Sequence, residues 1–284
     1  MIYDRELFID VETFSSVDIT ECGAYKYIAS PDFEILICSY AFGDDKVVTI
    51  DLACDEKLPD EFIEALHDSK CLKVAHNAVF ERRCFERIGI HTEIAEWYCT
   101  SVKAAYCGLP LSLDAVSKRL DLVDKKLSTG KALIKYFSCP CKATKINGGR
   151  TRNYPMDAPE KWAMYKEYNI YDVLSEREIY RKLEAYEIPD IERQLYVVDQ
   201  RINDRGIMID RQLAESAIYV DNTYSEYLIN QAKQITHLEN PKSPLQMQKW
   251  IEKTTGIQVD SLAKEVIADV LEQVKDYPQV VEAL

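Results

Sequence analysis

Residues 6–15 read ELFIDVETFS. Leu7, Phe8, Ile9 and Val11 have the apolar character of a buried strand, yet Asp10 and Glu12 lie inside the run. Side chains alternate faces along a strand, so Asp10 and Glu12 point one way and Val11 the other. Two carboxylates on one face of a buried strand repel each other and resist desolvation. The pair therefore needs a partner elsewhere in the chain.

Outward from this strand, the pattern is that of an α/β domain. FEILICSYAFG and KVVTIDL read as two further strands, with GDD between them as a hairpin turn, so the sheet opens as an antiparallel meander. PDEFIEALHD has helical spacing, with Pro59 near its start. CLKVAHN reads as another strand and AVFERRCFERIGI as the helix behind it, and SLDAVSKRLDL as a short helix. A meander that passes into β–α alternation predicts a mixed sheet flanked by helices. A long helix follows in DAPEKWAMYKEYNIYDVLSEREIYRKLEAYEIP, with Asp157 as expected cap and Pro159 in the first turn. Beyond it only helical patterns occur: IERQLYVVDQRINDRG, RQLAESAIYVDNTYSEYLINQAKQI, SPLQMQKWIEKTTG and LAKEVIADVLEQV. The expected division is an α/β domain over 1–186 and an all-helical segment over 187–284.

The bulk properties narrow the function. At 284 residues, 47% apolar and 29% charged, the composition is that of a globular protein. No apolar run approaches the roughly 20 residues that span a bilayer, so no membrane partner is expected. The start, MIYDRELFID, does not read as a signal peptide, and the nine cysteines are scattered, as suits reduced thiols in a cytoplasm. Cys139 and Cys141 are the only close pair; without a second pair or a nearby His they read as a loop with two thiols rather than a zinc site. A net charge of −13 excludes a general binder of duplex DNA, which needs clustered Lys and Arg. Residues 125–156 are the exception, with eight basic residues and no acidic one: a solvated loop, or a local contact for a polyanion.

Partners for Asp10 and Glu12 stand later in the chain. In YNIYDV, Tyr168 and Asp172 are four apart and share a helical face; in HNAVFER, Asn77 and Glu81 are likewise four apart, at a strand end and one turn into a helix. Three stretches thus each present a carboxylate from the end of an element. Converging carboxylates are tolerated when a divalent cation neutralises them, and a hard oxygen donor set suits Mg²⁺ or Mn²⁺.

FIDVET, HNAVFER and Y-x-x-x-D, in this order, resemble the three motifs of the DnaQ-like 3′–5′ exonucleases. The likeness is strongest to the proofreading region of phage-type family A DNA polymerases. It extends through GAYKYIASPDFEILICSYAF, PLSLDAVSKRLDL followed by KK, and APEKW to YNIYDVLSEREIY. DQRINDRGIMID and NPKSPLQMQKWIEKTTG resemble the region that joins this domain to the polymerase thumb. Tyr168 stands four before Asp172 and Glu167 occupies the position that a second branch fills with His, so the resemblance is to the tyrosine-type DEDD branch. One departure is Glu81, where the family commonly has Asp; Glu keeps the charge but moves it outward by one methylene.

The resemblance implies an RNase H-like fold and two-metal hydrolysis of a DNA 3′ end to nucleoside 5′-monophosphates, as in proofreading. It implies that Asp10 bridges two Mg²⁺ or Mn²⁺ ions, that Glu12 and Asp172 complete the first site, and that Glu81 supports the second through water. Tyr168 would hold the attacking water rather than act as a base, since an ordinary tyrosine of pKa about 10 is protonated at neutral pH. Thr13 and Asn77 would contact the terminal nucleotide. His76 is given no role, and for Tyr25 and Tyr27 core packing is more expected than base stacking. The implied partners are a single-stranded DNA 3′ end and a DNA polymerase domain; palm and fingers are not read in these 284 residues, so no polymerase activity is expected of them. Exposed apolar surface is expected over 187–284. An RNA-trimming exoribonuclease of the same fold and a catalytically silent polymerase module are the open alternatives. The expected setting is a bacterial cytoplasm, of the organism itself or of a phage host.

Overall fold

A computed structural model describes residues 3–122 and 130–284. The chain divides into two compact units, Met1–Gly206 and Ile207–Leu284.

In the first unit the elements run β1 (Arg5–Phe14), α1 (Ile19–Ile28), β2 (Glu34–Phe42), β3 (Val48–Asp51), α2 (Asp60–His67), β4 (Cys71–Ala75), α3 (Val79–Arg87), β5 (Trp97–Cys99), α4 (Thr100–Tyr106), α5 (Leu113–Arg119), α6 (Gly130–Phe137), α7 (Pro159–Leu183) and α8 (Asp190–Arg205). The sheet has five strands in the order β3-β2-β1-β4-β5. β1–β2 and β2–β3 are antiparallel, whereas β1–β4 and β4–β5 are parallel. This is the mixed, RNase H-like α/β arrangement, and it places β1 at the centre.

Alternation along β1 sorts its side chains. Leu7, Ile9 and Val11 enter a core that also holds Tyr27, Phe62 and Phe85 from α1, α2 and α3. Phe8 and Phe14 pack on the opposite side with residues of α7, among them Trp162, Tyr165, Tyr168 and Val173. A bulge between Glu12 and Thr13 shifts the register against β2. β4 is buried at all five residues, Lys73 included. The Lys73 ammonium is satisfied there by Glu96 and by the Asp68 carbonyl, each at 2.8 Å.

Several boundaries differ from the sequence expectation. α1 is split at Gly23, whose φ of 74° breaks the helical path, so no continuous periodicity betrays it. β5, at three residues, is too short to show alternation. α7 is capped by Ala158 with Pro159 in its first turn, and it ends at Leu183. Asp157 instead accepts from the Tyr154 amide at 2.8 Å and pairs with Arg150 at 3.2 Å. The unit boundary falls after Gly206 rather than at 186 because α8 packs on the α/β core: Tyr196 joins its apolar cluster, and Asp204 pairs with Arg82 at 2.8 Å.

The stretch 125–156 is only partly described, since 125–129 lie outside the described residues. Its remainder includes α6. Arg150 and Arg152 are taken up in ion pairs with Asp157 and Glu34, and Arg152 also lies 3.8 Å from the ring centroid of Phe14.

The second unit is helical: α9 (Arg211–Thr236), α10 (Pro244–Thr255), α11 (Ile267–Gln273) and α12 (Pro278–Ala283). SPLQMQKWIEKTTG, read as a helix, forms α10. Ser243 caps α10 through Gln246 N, Pro244 opens it, and Gly256 ends it at φ 74°. A small core holds Met247, Ile251, Val259, Val270, Val274 and Val280. The surface nonetheless keeps large apolar groups, including Met208, Leu213, Tyr219 and Tyr224, as do Ile191, Leu195 and Val198 of α8. No helix among the described residues is long and apolar enough to cross a membrane.

Candidate active site

β1 presents Asp10 and Glu12 towards α7, and α7 answers with Asp172. Single ligand oxygens of Asp10, Glu12 and Asp172 all lie within 4.8 Å of one another. The three come from two elements more than 150 residues apart in sequence, brought together because β1 is the central strand and α7 crosses it. Glu12 and Asp172 are buried and Asp10 is half-buried.

Glu81 stands outside that group of three but close to it. It is only 3% exposed in the first turn of α3, and its Oε2 is buried without a hydrogen-bond partner. Burial, and next the charge of Asp10, hold its carboxyl well above the usual carboxylate range. Such a group is costly unless a cation or proton compensates it.

Tyr168 is 1% exposed, and its ring stacks beside Tyr165 at 6.2 Å. Burial and the neighbouring Asp172 raise its hydroxyl far above the ordinary tyrosine value. The ring fits because α6 begins with glycine: a Cβ on Gly130 would sit 2.0 Å from Tyr168 Cε2.

Thr13 and Asn77, the expected contacts of a terminal nucleotide, differ in setting. The hydroxyl of Thr13 lies on the far side of β1 from Glu12, 3.0 Å from the Tyr27 hydroxyl and buried. Asn77 is exposed between β4 and α3 in a left-handed conformation, φ 75°. The His76 ring is held in the structure: Nε2–H donates to the Leu111 carbonyl at 2.8 Å, and Nδ1 lies 2.9 Å from the Thr100 hydroxyl. Tyr27 is a core residue, while Tyr25 donates to Asp204 at 2.8 Å.

Three further residues shape the site without having been singled out in the sequence. Asn169 donates from Nδ2 to Asp10 Oδ2. The Tyr165 hydroxyl donates to Glu12 Oε2, so the Ser138 hydroxyl, 2.7 Å away, is the donor to Tyr165. Glu176, fully buried, accepts from the amides of Ile9 and His76, each at 2.9 Å. Burial, then Asp10 and Glu81, push its carboxyl well above the usual range. The signal for all three is their spacing: 165, 168/169, 172 and 176 form one helical stripe, and it is polar where a buried stripe is ordinarily apolar.

No protein-family profile matches the chain. It is 47% identical over 273 residues, 96% of its length, to a DNA polymerase of Bacillus phage SP02, and it spans 42% of that protein's length. Among solved structures, a nuclease in its apo form aligns over 70% of this chain and 81% of its own, at 18% identity and a TM-score of 0.39. Brucella melitensis NrnC aligns over 69% of this chain and 80% of its own, at 14% identity and a TM-score of 0.45. The same protein bound to pGG aligns over the same shares, at 14% identity and a TM-score of 0.44.

Proposed function

We propose that this chain is a divalent-cation-dependent 3′–5′ exonuclease that removes nucleotides from DNA 3′ ends, as a proofreading activity of a DNA polymerase does. The reading is carried by the meeting of Asp10, Glu12 and Asp172 within 4.8 Å. The 47% identity to a phage DNA polymerase supports it.

The residues suit a hard cation: every donor is a carboxylate oxygen, and the buried, unpartnered Oε2 of Glu81 stands beside the group. Asp10, Glu12 and Asp172 would hold the first ion, Asp10 would be shared with a second, and Glu81 would support that second ion. Bound Mg²⁺ or Mn²⁺ would supply Lewis acidity and make hydroxide available near neutral pH. Tyr168, kept protonated by burial and by Asp172, orients water and is not the base. Asn169 and Tyr165 fix the carboxylates of Asp10 and Glu12. Asn77, exposed at the end of β4, contacts the terminal nucleotide, and the backbone at Thr13 borders it.

The test is release of labelled mononucleotide from 3′-labelled single-stranded DNA, with RNA of the same sequence alongside. Release should need Mg²⁺ or Mn²⁺, stop with chelator, and fall at least about 10³-fold in Asp10→Ala, the equivalent of a lost charge stabilisation of several kcal/mol. Folded protein that releases nothing at any metal concentration would overturn the reading. Faster release from RNA would move it to the exoribonuclease alternative.

A further inference from the structure

The parallel pairing of β1 with β4 ends at Phe8 opposite Val74. One more rung, Ile9 against Ala75, would use two donors in a parallel ladder: the amide of Ile9 and the amide of His76. Both donate to Glu176, Oε1 accepting from Ile9 and Oε2 from His76, each at 2.9 Å. A side chain from α7 thus occupies the place of a missing rung, and its carboxylate, with two oxygens, matches the two donors one to one. The strands part at this point. Beyond it, β1 continues with Asp10, and β4 leads to Asn77 and on to Glu81 in α3.

The same contact ties helix to strand. Glu176 lies one turn after Asp172, and Ile9 immediately precedes Asp10. A hydrogen bond between the first of each pair sets the distance between the second. Glu176 is fully buried, so its two oxygens are kept from water. We propose that Glu176 is a positioning residue of the carboxylate site: it replaces one rung of the β1–β4 ladder, opens the gap in which the site lies, and holds Asp10 against Asp172. Its functional consequence rests on the cation reading above; the wedge itself does not.

The test uses the full chain with Glu176→Gln, and Glu176→Asp as a second variant. Gln offers one acceptor oxygen where two are needed and turns an NH2 group towards the other amide. Amide exchange by NMR is the first measurement. In the wild type, the Ile9 and His76 amides should exchange as slowly as ladder amides such as Leu7 and Val74. In the Gln variant at least one of the two should exchange about tenfold faster or more. The second measurement is Mn²⁺ binding, expected to weaken about 10–100-fold, the usual effect of removing a group that orients a ligand. kcat should fall with KM for DNA unchanged, a split that a general loss of folded protein would not give.

Three results would overturn the proposal: fast exchange of both amides in the wild type, unchanged exchange in the variants, or faster exchange with Mn²⁺ affinity intact. If the wild type binds no Mn²⁺, the cation reading fails, and the exchange measurement alone decides the wedge. The wild-type exchange rates keep the proposal open to refutation even if neither variant folds.

Discussion

α7 and α9 are nearly equal in length, 25 and 26 residues, and use their side chains in opposite ways. α7 buries Tyr165, Tyr168, Asn169, Asp172 and Glu176 along one stripe, each in contact with β1, α6 or a strand end. α9 buries only Thr236 and leaves Leu213, Ile218, Tyr219, Val220, Tyr224, Tyr227 and Leu228 exposed. Burial on α7 follows from the sheet it crosses, and Tyr165, Asn169 and Glu176 are held there by hydrogen bonds to Glu12, Asp10 and the Ile9 and His76 amides. Apolar exposure on α9 carries no such compensation, and contiguous exposure of this kind marks an interaction surface. A polar residue in the wrong place thus points to chemistry, and an apolar residue in the wrong place points to a covering surface.

The sharpest way to break this contrast is one substitution made on both helices. Tyr165→Ala should cost about 3–5 kcal/mol of stability, since it empties a fully buried aromatic site packed on Phe137 and Trp162. Urea unfolding measures it. A cost below about 1 kcal/mol would mean that α7 does not pack as described.

Gly130→Ala comes next. Its added Cβ would meet the Tyr168 ring at 2.0 Å, so either α6 or the ring must move, at about 1–3 kcal/mol. Nuclease activity should fall with it, because the proposed site includes the displaced hydroxyl. Unchanged melting and activity would show that α6 does not constrain Tyr168.

How far the sequence alone reached depends on the same contrast. Asp10 and Glu12 were legible because alternation on a strand assigns a face without reference to anything else, and the structure sets them with Asp172. α10 was legible from the helical pattern of SPLQMQKWIEKTTG, whose ends Ser243, Pro244 and Gly256 fix locally. α1, β5 and α6 were not, for want of length or regular spacing: Gly23 interrupts the first, β5 has three residues, and α6 lies in a stretch whose basic residues drew the reading towards a loop. The expected boundary at 186 missed the packing of α8 because that depends on Tyr196 and Asp204 meeting residues far upstream. Asn169, Tyr165 and Glu176 escaped notice for a related reason. Their roles appear only once the buried face of α7 is known.

A smaller effect concerns Glu81, whose carboxyl is held above its ordinary value when no cation is present. The sign follows from linkage. A carboxyl raised in the folded state contributes fully below its unfolded value of about 4.3, and stability is lost as pH rises from there through the folded value. In chelator, Glu81→Gln should therefore melt close to the wild type near about pH 5 and above it near about pH 8. Mg²⁺ should close that gap by compensating the wild-type charge. A difference independent of pH would separate Glu81 from the site.

The smallest effect is the companion on α9. Tyr224→Ala, at a residue 59% exposed, should leave stability within about 0.5 kcal/mol of the wild type in the same urea measurement. A cost near that of Tyr165→Ala would erase the distinction between the two helices.

The central claim is that ELFIDVET and YNIYDV together form a cation site. Titration of Mn²⁺ into the wild-type protein and Asp10→Ala, followed by calorimetry on folded samples, tests it directly. Saturable binding in the wild type that is lost in Asp10→Ala is the predicted result. Binding that survives the substitution unchanged, or its absence from the wild type, would contradict the account.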